Sequence, residues 1–370
     1  MTTTGRQLIS TLSADGTMVL ELEEKTFPQP TGNQVLVKME AAPINPSDLF
    51  LITAGADLEN ATYEAGKVTM QIMPQLAAGQ SGRHGKPQTV GNEGAGEVIA
   101  AGEGEQAQAL LGQRVSCVPG NAFSEYAIAD AMMCLPLGDH SAEEGASSFV
   151  NPMTALGFVE TAKREGQDAI VHAAAASNLG QMLNRICQED GMSLVNIVRK
   201  EAQVELLKDQ GAAHVVNSSD DDYMKQLTAA IDATGAYLGF DPIGGGKTSD
   251  TVLRAMEQVA AAKMTEFSRY GSNQQKKMYI YGRLEMGPTI LTPSYGFGWT
   301  VSGWLLMPFL ASCDMQTMIA LRQRVQDGLK TTFASSYKTR VSLDEMLTKD
   351  AMMDYAQMST GEKYLVTPHG

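Results

Sequence analysis

The sequence predicts an α/β protein of two domains, one of them a doubly wound parallel sheet, and three observations carry the prediction. The first is a strand–turn–helix–strand unit. AIVHA at residues 169–173 is a small-residue apolar run of the kind found in buried parallel strands. Leu179, Met182, Leu183, Ile186 and Cys187 then recur at helical spacing, and a second apolar strand at 194–198 follows Gly191. The second observation is that strands and helices alternate from about residue 146 onward, which implies a parallel sheet with helices on both faces. The third is a β-rich first third, with short alternating or glycine-bounded strands at 34–39, 94–100 and 114–118.

Further along, strands are expected at 214–217, 237–241 and 277–282, and helices at 202–210, 221–230 and 250–264. The last forty or so residues again depart from the sheet pattern. The chain is therefore expected to leave the first domain and return to it, giving one domain of residues 1–146 and 310–370 and another of 147–309. Residues 57–89 read as a long, poorly patterned connection holding Tyr63, His84 and the basic run Arg83-His84-Gly85-Lys86, either a functional lid or a surface loop.

The turn after the first parallel strand has chemical content. Such a turn aims the N–H groups of a helix N-terminus at a pyrophosphate, and small residues let the backbone approach it closely. Here they are Ala173 to Ser177, and of the usual glycine pattern Gly180 remains. The second strand ends in Arg199 and Lys200, where an NAD site places an acid to accept ribose hydroxyls. Two cations there suit a 2′-phosphate and so NADPH; the alternative is a pair of solvated charges opening the next helix.

Composition narrows the function classes. A chain of 370 residues with 43% hydrophobic and 19% charged residues is long enough for two globular domains. Its net charge of −14 weighs against nucleic acid or an anionic membrane as the main partner. MTTTGRQLIS lacks a signal-peptide apolar core, so a cytoplasmic location is expected. The four cysteines, Cys117, Cys134, Cys187 and Cys313, are scattered and form neither a zinc pattern nor a disulfide framework. Residues 286–313 carry no charge, but Pro288, Pro293, Pro308 and several glycines interrupt them too often for a spanning helix. They are expected to form a buried inter-domain or subunit surface and to make the chain a homodimer.

Three ordered segments resemble one family: AAPINPSD at 41–48, VGNEGAGEV at 90–98 and NPMTALG at 151–157. Together with the 170–199 unit they resemble the medium-chain dehydrogenase/reductase superfamily, in its zinc-independent quinone oxidoreductase and 2-enoyl thioester reductase branch. The resemblance implies a GroES-like β-barrel catalytic domain beside a Rossmann domain. It also implies a cofactor set of Met153 and Thr154 near the nicotinamide, Ala176, Ser177, Asn178 and Leu179 at the pyrophosphate, and Arg199 and Lys200 at the adenosine phosphate. Ile243 and Gly244 of the DPIGGG loop, with Tyr281 and Gly282, complete it. The chain departs from zinc alcohol dehydrogenases, having PINPSD where they place a cysteine and Gly91-Asn92-Glu93 where they place a His-Glu pair. No metal is therefore expected.

Without a Lewis acid, hydrogen bonds must stabilise a developing oxyanion and a proton must come separately from the hydride. That equipment suits reduction of an activated C=C bond in an enone or enoyl thioester, or reduction of a quinone. Asn45 is the candidate polar group at the substrate, with a turn former before Pro46 as its other role. Tyr63 is the nearest candidate proton donor, because no tyrosine follows PINPSD at the family's shorter spacing; it also reads as a surface tyrosine. His84 and His172 read as structural. A different class stays open: a cofactor-binding structural or RNA-binding protein of the crystallin-like type, against which the acidic balance weighs.

Overall fold

The computed structural model describes residues 2–53, 55–357 and 363–370. The chain forms two compact units, 1–150 with 322–370 and 151–321.

In the first unit, Thr3–Leu12 pairs antiparallel with Thr17–Phe27 along its whole length, from Thr3 opposite Phe27 to Leu12 opposite Met18. Lys67–Gln71 adds to the far side of Thr17–Phe27, and Thr62–Glu64 adds to Lys67–Gln71. A second sheet is organised around Gln34–Pro43, which pairs with Gly94–Ala101, Tyr126–Asp130 and the returning Tyr364–Val366. Two register shifts against Gly94–Ala101, at Leu36/Val37 and Met39/Ala41, bend the central strand. Both sheets feed one core: Leu8, Leu20 and Val68 from the first sheet with Val35, Val37, Val98 and Val115 from the second. Their inward residues alternate, as in a small barrel.

Residues 57–89 correct the expectation of a patternless connection. They fold into the Thr62–Glu64 and Lys67–Gln71 hairpin, a short Pro74–Ala78 helix and Gln88–Thr89, which joins the other edge of Thr3–Leu12. Val68, Met70 and Ile72 are buried at 0%, 2% and 4% exposure. That period of two fixes the strand face, and its brevity beside Gly66 hides it in the sequence.

The second unit is a six-stranded, all-parallel sheet. Its chain order is Ala169–Ala173, Ser193–Val198, His214–Asn217, Leu238–Asp241, Lys276–Ile280 and Trp299–Gly303. In space the third strand is outermost, then the second, first, fourth, fifth and sixth. This is the doubly wound order: the chain moves outward from the first strand to the third, then returns to the fourth on the other side of the first and moves outward the opposite way. Val171 joins the core beneath Leu227, Val252 and Met256, whereas its neighbour His172 faces Phe158, with ring centroids 6.0 Å apart. Consecutive strand residues point to opposite faces, so helices cover both.

The observed division differs from the expected one mainly on the return, at 322 rather than 310. The Leu306–Ala311 helix stays with the sheet unit because Phe309 stacks on Trp304 at 5.4 Å, and Arg164 donates to Ser312 Oγ and Cys313 Sγ, both at 3.2 Å. The uncharged stretch also divides its side chains. Trp304 and Phe309 are each 7% exposed, whereas Phe297, Leu305 and Met307 are 82%, 64% and 53% exposed. Among the described residues no helix is long and apolar enough to cross a membrane.

Candidate functional site

At the carboxyl edge of the sheet, Ala173 leads into Ala174, whose φ of 50° makes it the one non-glycine residue in the left-handed region among the described residues. The turn then enters the Asn178–Asp190 helix, where Ser177 Oγ accepts a hydrogen bond from Gly180 N at 3.1 Å. That capped end satisfies one orphan donor and points the helix N-terminus at the carboxyl edge of the sheet. Gly180 is required: a Cβ there would lie 2.2 Å from the Ala175 carbonyl oxygen. Ala175 and Ala176 are fully enclosed, Leu179 is 8% exposed, and Gln181 Nε2 donates back to the Ala176 carbonyl at 2.9 Å. Small side chains thus bring the helix end against the strand.

Arg199 and Lys200 follow the second strand with exposed side chains that, among the described residues, have no hydrogen-bond or ion-pair partner. Their backbones are fixed nonetheless. Both N–H groups donate to Gln203 Oε1, at 3.1 and 3.2 Å, and Ser219 Oγ donates to the Arg199 carbonyl at 2.9 Å. Two cations are therefore held beside the turn with their heads unused. Small residues, a glycine that admits no Cβ, a helix N-terminus and this cation pair together fit a dinucleotide bearing an extra phosphate.

Past the fourth strand, buried Asp241 accepts from Ile243 N at 2.8 Å, Gly244 N at 3.3 Å and Ser249 Oγ at 2.8 Å. Burial pushes its carboxyl above the usual range while those donors pull it back. Gly244, at φ +75°, would put a Cβ 2.5 Å from the Gly282 carbonyl, and Gly282 would put one 2.6 Å from that of Pro242. The structure therefore brings Ile243–Gly244 and Tyr281–Gly282 together. Tyr281 hydroxyl lies 2.8 Å from His172 Nε2, and their rings stack at 17°. His172 is fully buried with Nδ1 unpartnered, and burial pushes its pKa down to about 3, so the imidazole is neutral. Burial also drives the Tyr281 hydroxyl well above its ordinary value. Met153 and Thr154 are buried in the Val150–Arg164 helix, at 1% and 6% exposure.

The first unit holds a separate polar cluster. Pro43 ends the central strand of the second sheet, and Asn45 and Asp48 close the following turn, with Asp48 N donating to the Asn45 carbonyl at 2.9 Å and Asn45 N to Asp48 Oδ2 at 2.8 Å. Asp48 Oδ1 also accepts from Asn92 N at 2.9 Å. Asn45 Nδ2 donates to Glu93 Oε1 at 2.9 Å, and Glu93 Oε2 accepts from the N–H groups of Phe149 and Val150 at 3.0 and 2.8 Å. The carboxylate fixes which end of the Asn45 amide faces it, so the buried Oδ1, which has no partner, is presented as an acceptor. Asn45 and Asp48 are 2% exposed and Glu93 is 0% exposed. Burial pushes Asp48 up to about 7 and Glu93 above the usual carboxylate range.

Lys363, Ser147 and Tyr337 join this cluster from distant segments. Lys363 Nζ donates to Ser147 Oγ at 2.7 Å, and Ser147 Oγ lies 2.8 Å from the Tyr337 hydroxyl. Burial pulls the Lys363 ammonium down to about 8, against the fields of Glu93 and Asp48, which raise it. Nothing periodic in the sequence marks these three residues. Tyr63 is placed elsewhere: it sits on Thr62–Glu64, packs on the unit's core, and its hydroxyl donates to the Leu58 carbonyl at 2.7 Å. His84 Nε2 lies 3.0 Å from the Ala77 carbonyl, a structural role. Among the described residues, no three His, Cys, Asp or Glu side chains are grouped to hold a metal ion.

Residues 31–139 match the family described as Alcohol dehydrogenase GroES-like domain. The mitochondrial enoyl-[acyl-carrier-protein] reductase of Xenopus tropicalis is 30% identical over 276 residues, covering 68% of this chain and 67% of that protein. The bovine protein of the same description is 27% identical over 256 residues, 67% of this chain; the chain spans 62% of its length. Among solved structures, a Mesorhizobium loti protein described as an NADPH:quinone reductase superposes with a TM-score of 0.75 at 24% identity, covering 99% of this chain and 98% of that one. With a barrel-like unit, a 3-2-1-4-5-6 parallel sheet and these relatives, the chain belongs to the medium-chain dehydrogenase/reductase superfamily, in its enoyl reductase branch.

Proposed function

We propose that the protein is an NADPH-dependent oxidoreductase that reduces an activated C=C bond or a quinone, its acceptor being an enone, a quinone or a 2-enoyl thioester. The observation that carries this reading is the cation pair Arg199 and Lys200, whose side chains have no partner among the described residues, beside the Gly180 turn. In the reading, first-turn N–H groups after Ser177 hold the pyrophosphate, Arg199 and Lys200 the 2′-phosphate, and Ile243, Gly244, Tyr281, Gly282, Met153 and Thr154 the nicotinamide side. The reduced nicotinamide supplies a hydride when bound. The relatives' descriptions as enoyl and NADPH:quinone reductases support the acceptor class. Asn45 is proposed at the substrate, and Tyr63 is the weaker candidate because its hydroxyl is engaged by Leu58.

The test is NADPH consumption with a panel of enones, quinones and 2-enoyl-CoA thioesters. Tight NADPH binding with no turnover of any acceptor would refute the enzymatic reading. The reading needs no metal, so chelation should leave turnover intact and elemental analysis should find no stoichiometric zinc. A cytoplasmic location is proposed as well, with fractionation against mitochondria as its measure. We also propose a homodimer through the edge strand Trp299–Gly303 and the exposed Leu305 and Met307. A strict monomer in sedimentation at micromolar concentration would refute it.

A further inference from the structure

We propose that Lys363 is the proton donor of the reduction, an acid held in place by Ser147 and Tyr337. The inference rests on the reductase reading and goes beyond it by naming a residue that neither motif nor resemblance indicated. Its geometric basis is an unused ammonium. Nζ donates one hydrogen bond, to Ser147 Oγ, and lies 5.9 Å from the centroid of the Tyr337 ring. An ammonium carries three N–H groups, and among the described residues the other two have no partner.

The neighbouring carboxylates do not use them. Glu93 is satisfied by Asn45, Phe149 and Val150, and Asp48 by Asn45 and Asn92. A half-buried cation with two free donors is costly to keep unless something else takes them. A second unused atom belongs to the carboxylate group whose charge acts on Lys363: Asn45 Oδ1, buried, unpartnered among the described residues and locked outward by the bond of its Nδ2 to Glu93. The cluster is thus incomplete as both donor and acceptor, as a binding position for a carbonyl compound would be.

The chemistry balances. Hydride addition at the β-carbon of an α,β-unsaturated carbonyl pushes the C=C π pair toward the carbonyl and leaves an enolate. The enolate then forms a C–H bond at the α-carbon with a proton from Lys363 Nζ. The N–H bonding pair stays on nitrogen, the C=O bond re-forms, and the neutral amine is reprotonated by solvent. Lys363 fits this task because burial brings its acidity to about 8, near a neutral working pH.

The groups facing it make the alkaline limb assignable. Tyr337 is held protonated far above its ordinary range, mainly by burial. Asp48 ionises at about 7, and Glu93 is also raised; as anions both favour the charged ammonium. Ser147 does not titrate. Activity should therefore fall as pH rises through about 8, when Lys363 loses the proton it must donate.

The experiment uses the full chain with NADPH and crotonyl-CoA, or the acceptor the panel identifies, for the wild type, Lys363→Arg, Lys363→Met and Ser147→Ala. Both Lys363 variants should lose about 10²- to 10⁴-fold in kcat, the usual contribution of general acid catalysis. Their NADPH affinity should stay within twofold of wild type. Arginine keeps the charge and can still bond Ser147, but it is too weak an acid to restore turnover. Ser147→Ala should shift the alkaline limb without abolishing activity, which keeps the assignment testable if the Lys363 variants fold poorly. An active wild type with Lys363→Arg within threefold of it, or an alkaline limb unmoved by Ser147→Ala, overturns this assignment alone. A wild type inert toward every acceptor overturns the reductase reading, and this assignment with it.

Discussion

Replacing Gly180 with alanine tests the dinucleotide turn through its geometry alone. The added Cβ would lie 2.2 Å from the oxygen, 2.6 Å from the carbon and 2.8 Å from the Cα of Ala175. Ordinary contact needs more than 3 Å, and the obstacle is backbone, so the turn must move by roughly 1 Å rather than rotate a side chain aside. Overpacking of this kind costs about 1 to 3 kcal/mol. Alanine recovers about 0.5 to 1 kcal/mol of helix propensity, leaving a net loss of up to about 2.5 kcal/mol. For a unit of this size that is a fall in Tm of up to about 10 °C. The larger effect should be on binding, because the displaced atoms are those proposed to approach the pyrophosphate. NADPH affinity, followed by the quenching or enhancement of nicotinamide fluorescence, should drop at least about tenfold, or 1.4 kcal/mol. Gly166→Ala is the control: Gly166 has φ +66° and nothing within 4 Å of an added Cβ, so alanine there strains the backbone without touching the turn. It should lower Tm and leave NADPH binding alone. Wild-type NADPH affinity in Gly180→Ala would refute the placement of the pyrophosphate.

Arg199→Ala should weaken NADPH binding by at least about tenfold while leaving NADH nearly unchanged, since a charge-assisted phosphate contact contributes about 1.5 to 3 kcal/mol; equal affinity of the wild type for the two dinucleotides would return Arg199 and Lys200 to the role of solvated charges. Asn45→Ala should lower kcat by about one to three decades with NADPH affinity unchanged, whereas parallel loss of both would mark a structural turn. Tyr63→Phe should leave the kinetics untouched if its hydroxyl serves only the Leu58 carbonyl. Asp48 gives a pH signature. Burial raises its folded pKa to about 7 from the ordinary 3.8, so its stabilising share is full below pH 3.8 and is lost as pH rises through about 7. Asp48→Asn should flatten that slope in urea midpoints taken between pH 4 and 8, and identical slopes would count against the shift.

How much of this was legible in the sequence depended on whether the backbone or a distant side chain did the work. The strand Ala169–Ala173 is found where its apolar run lies, because a strand buried on both faces is written as one continuous stretch. The turn after it was legible for a similar reason: small residues and one glycine are a local requirement of close backbone approach. Lys67–Gln71 is not legible although Val68 and Met70 alternate correctly, since a five-residue strand in the short span between Gly66 and Pro74 gives too short a period to separate from a loop. The change of pattern places the return of the chain near residue 310, but the ring stack of Trp304 on Phe309 keeps that helix with the sheet. The polar cluster was the least legible part. Asn45 meets Glu93 across 48 positions and Ser147 meets Lys363 across 216, and no periodicity spans such separations.

The same cluster also shows why its charges are arranged for something other than stability. A lysine kept for structure would be expected to neutralise the buried carboxylates directly, since breaking a buried ion pair strands a charge and costs about 3 to 5 kcal/mol. In this chain such a pair exists elsewhere: Lys276 Nζ lies 2.7 Å from Glu257 Oε2, and its remaining donors go to Ser272 Oγ and the Gln274 carbonyl. Lys276 is saturated, whereas among the described residues Lys363 has one hydrogen bond, from its ammonium to a hydroxyl. Glu93 and Asp48 draw their hydrogen bonds from main-chain and amide N–H groups, so removing Lys363 orphans neither. Lys363→Met should therefore cost less stability than Lys276→Met, read as the difference in urea midpoint between the two variants. The opposite order would mean that Lys363 is held for the fold, and its claim to be an acid would fall with that result.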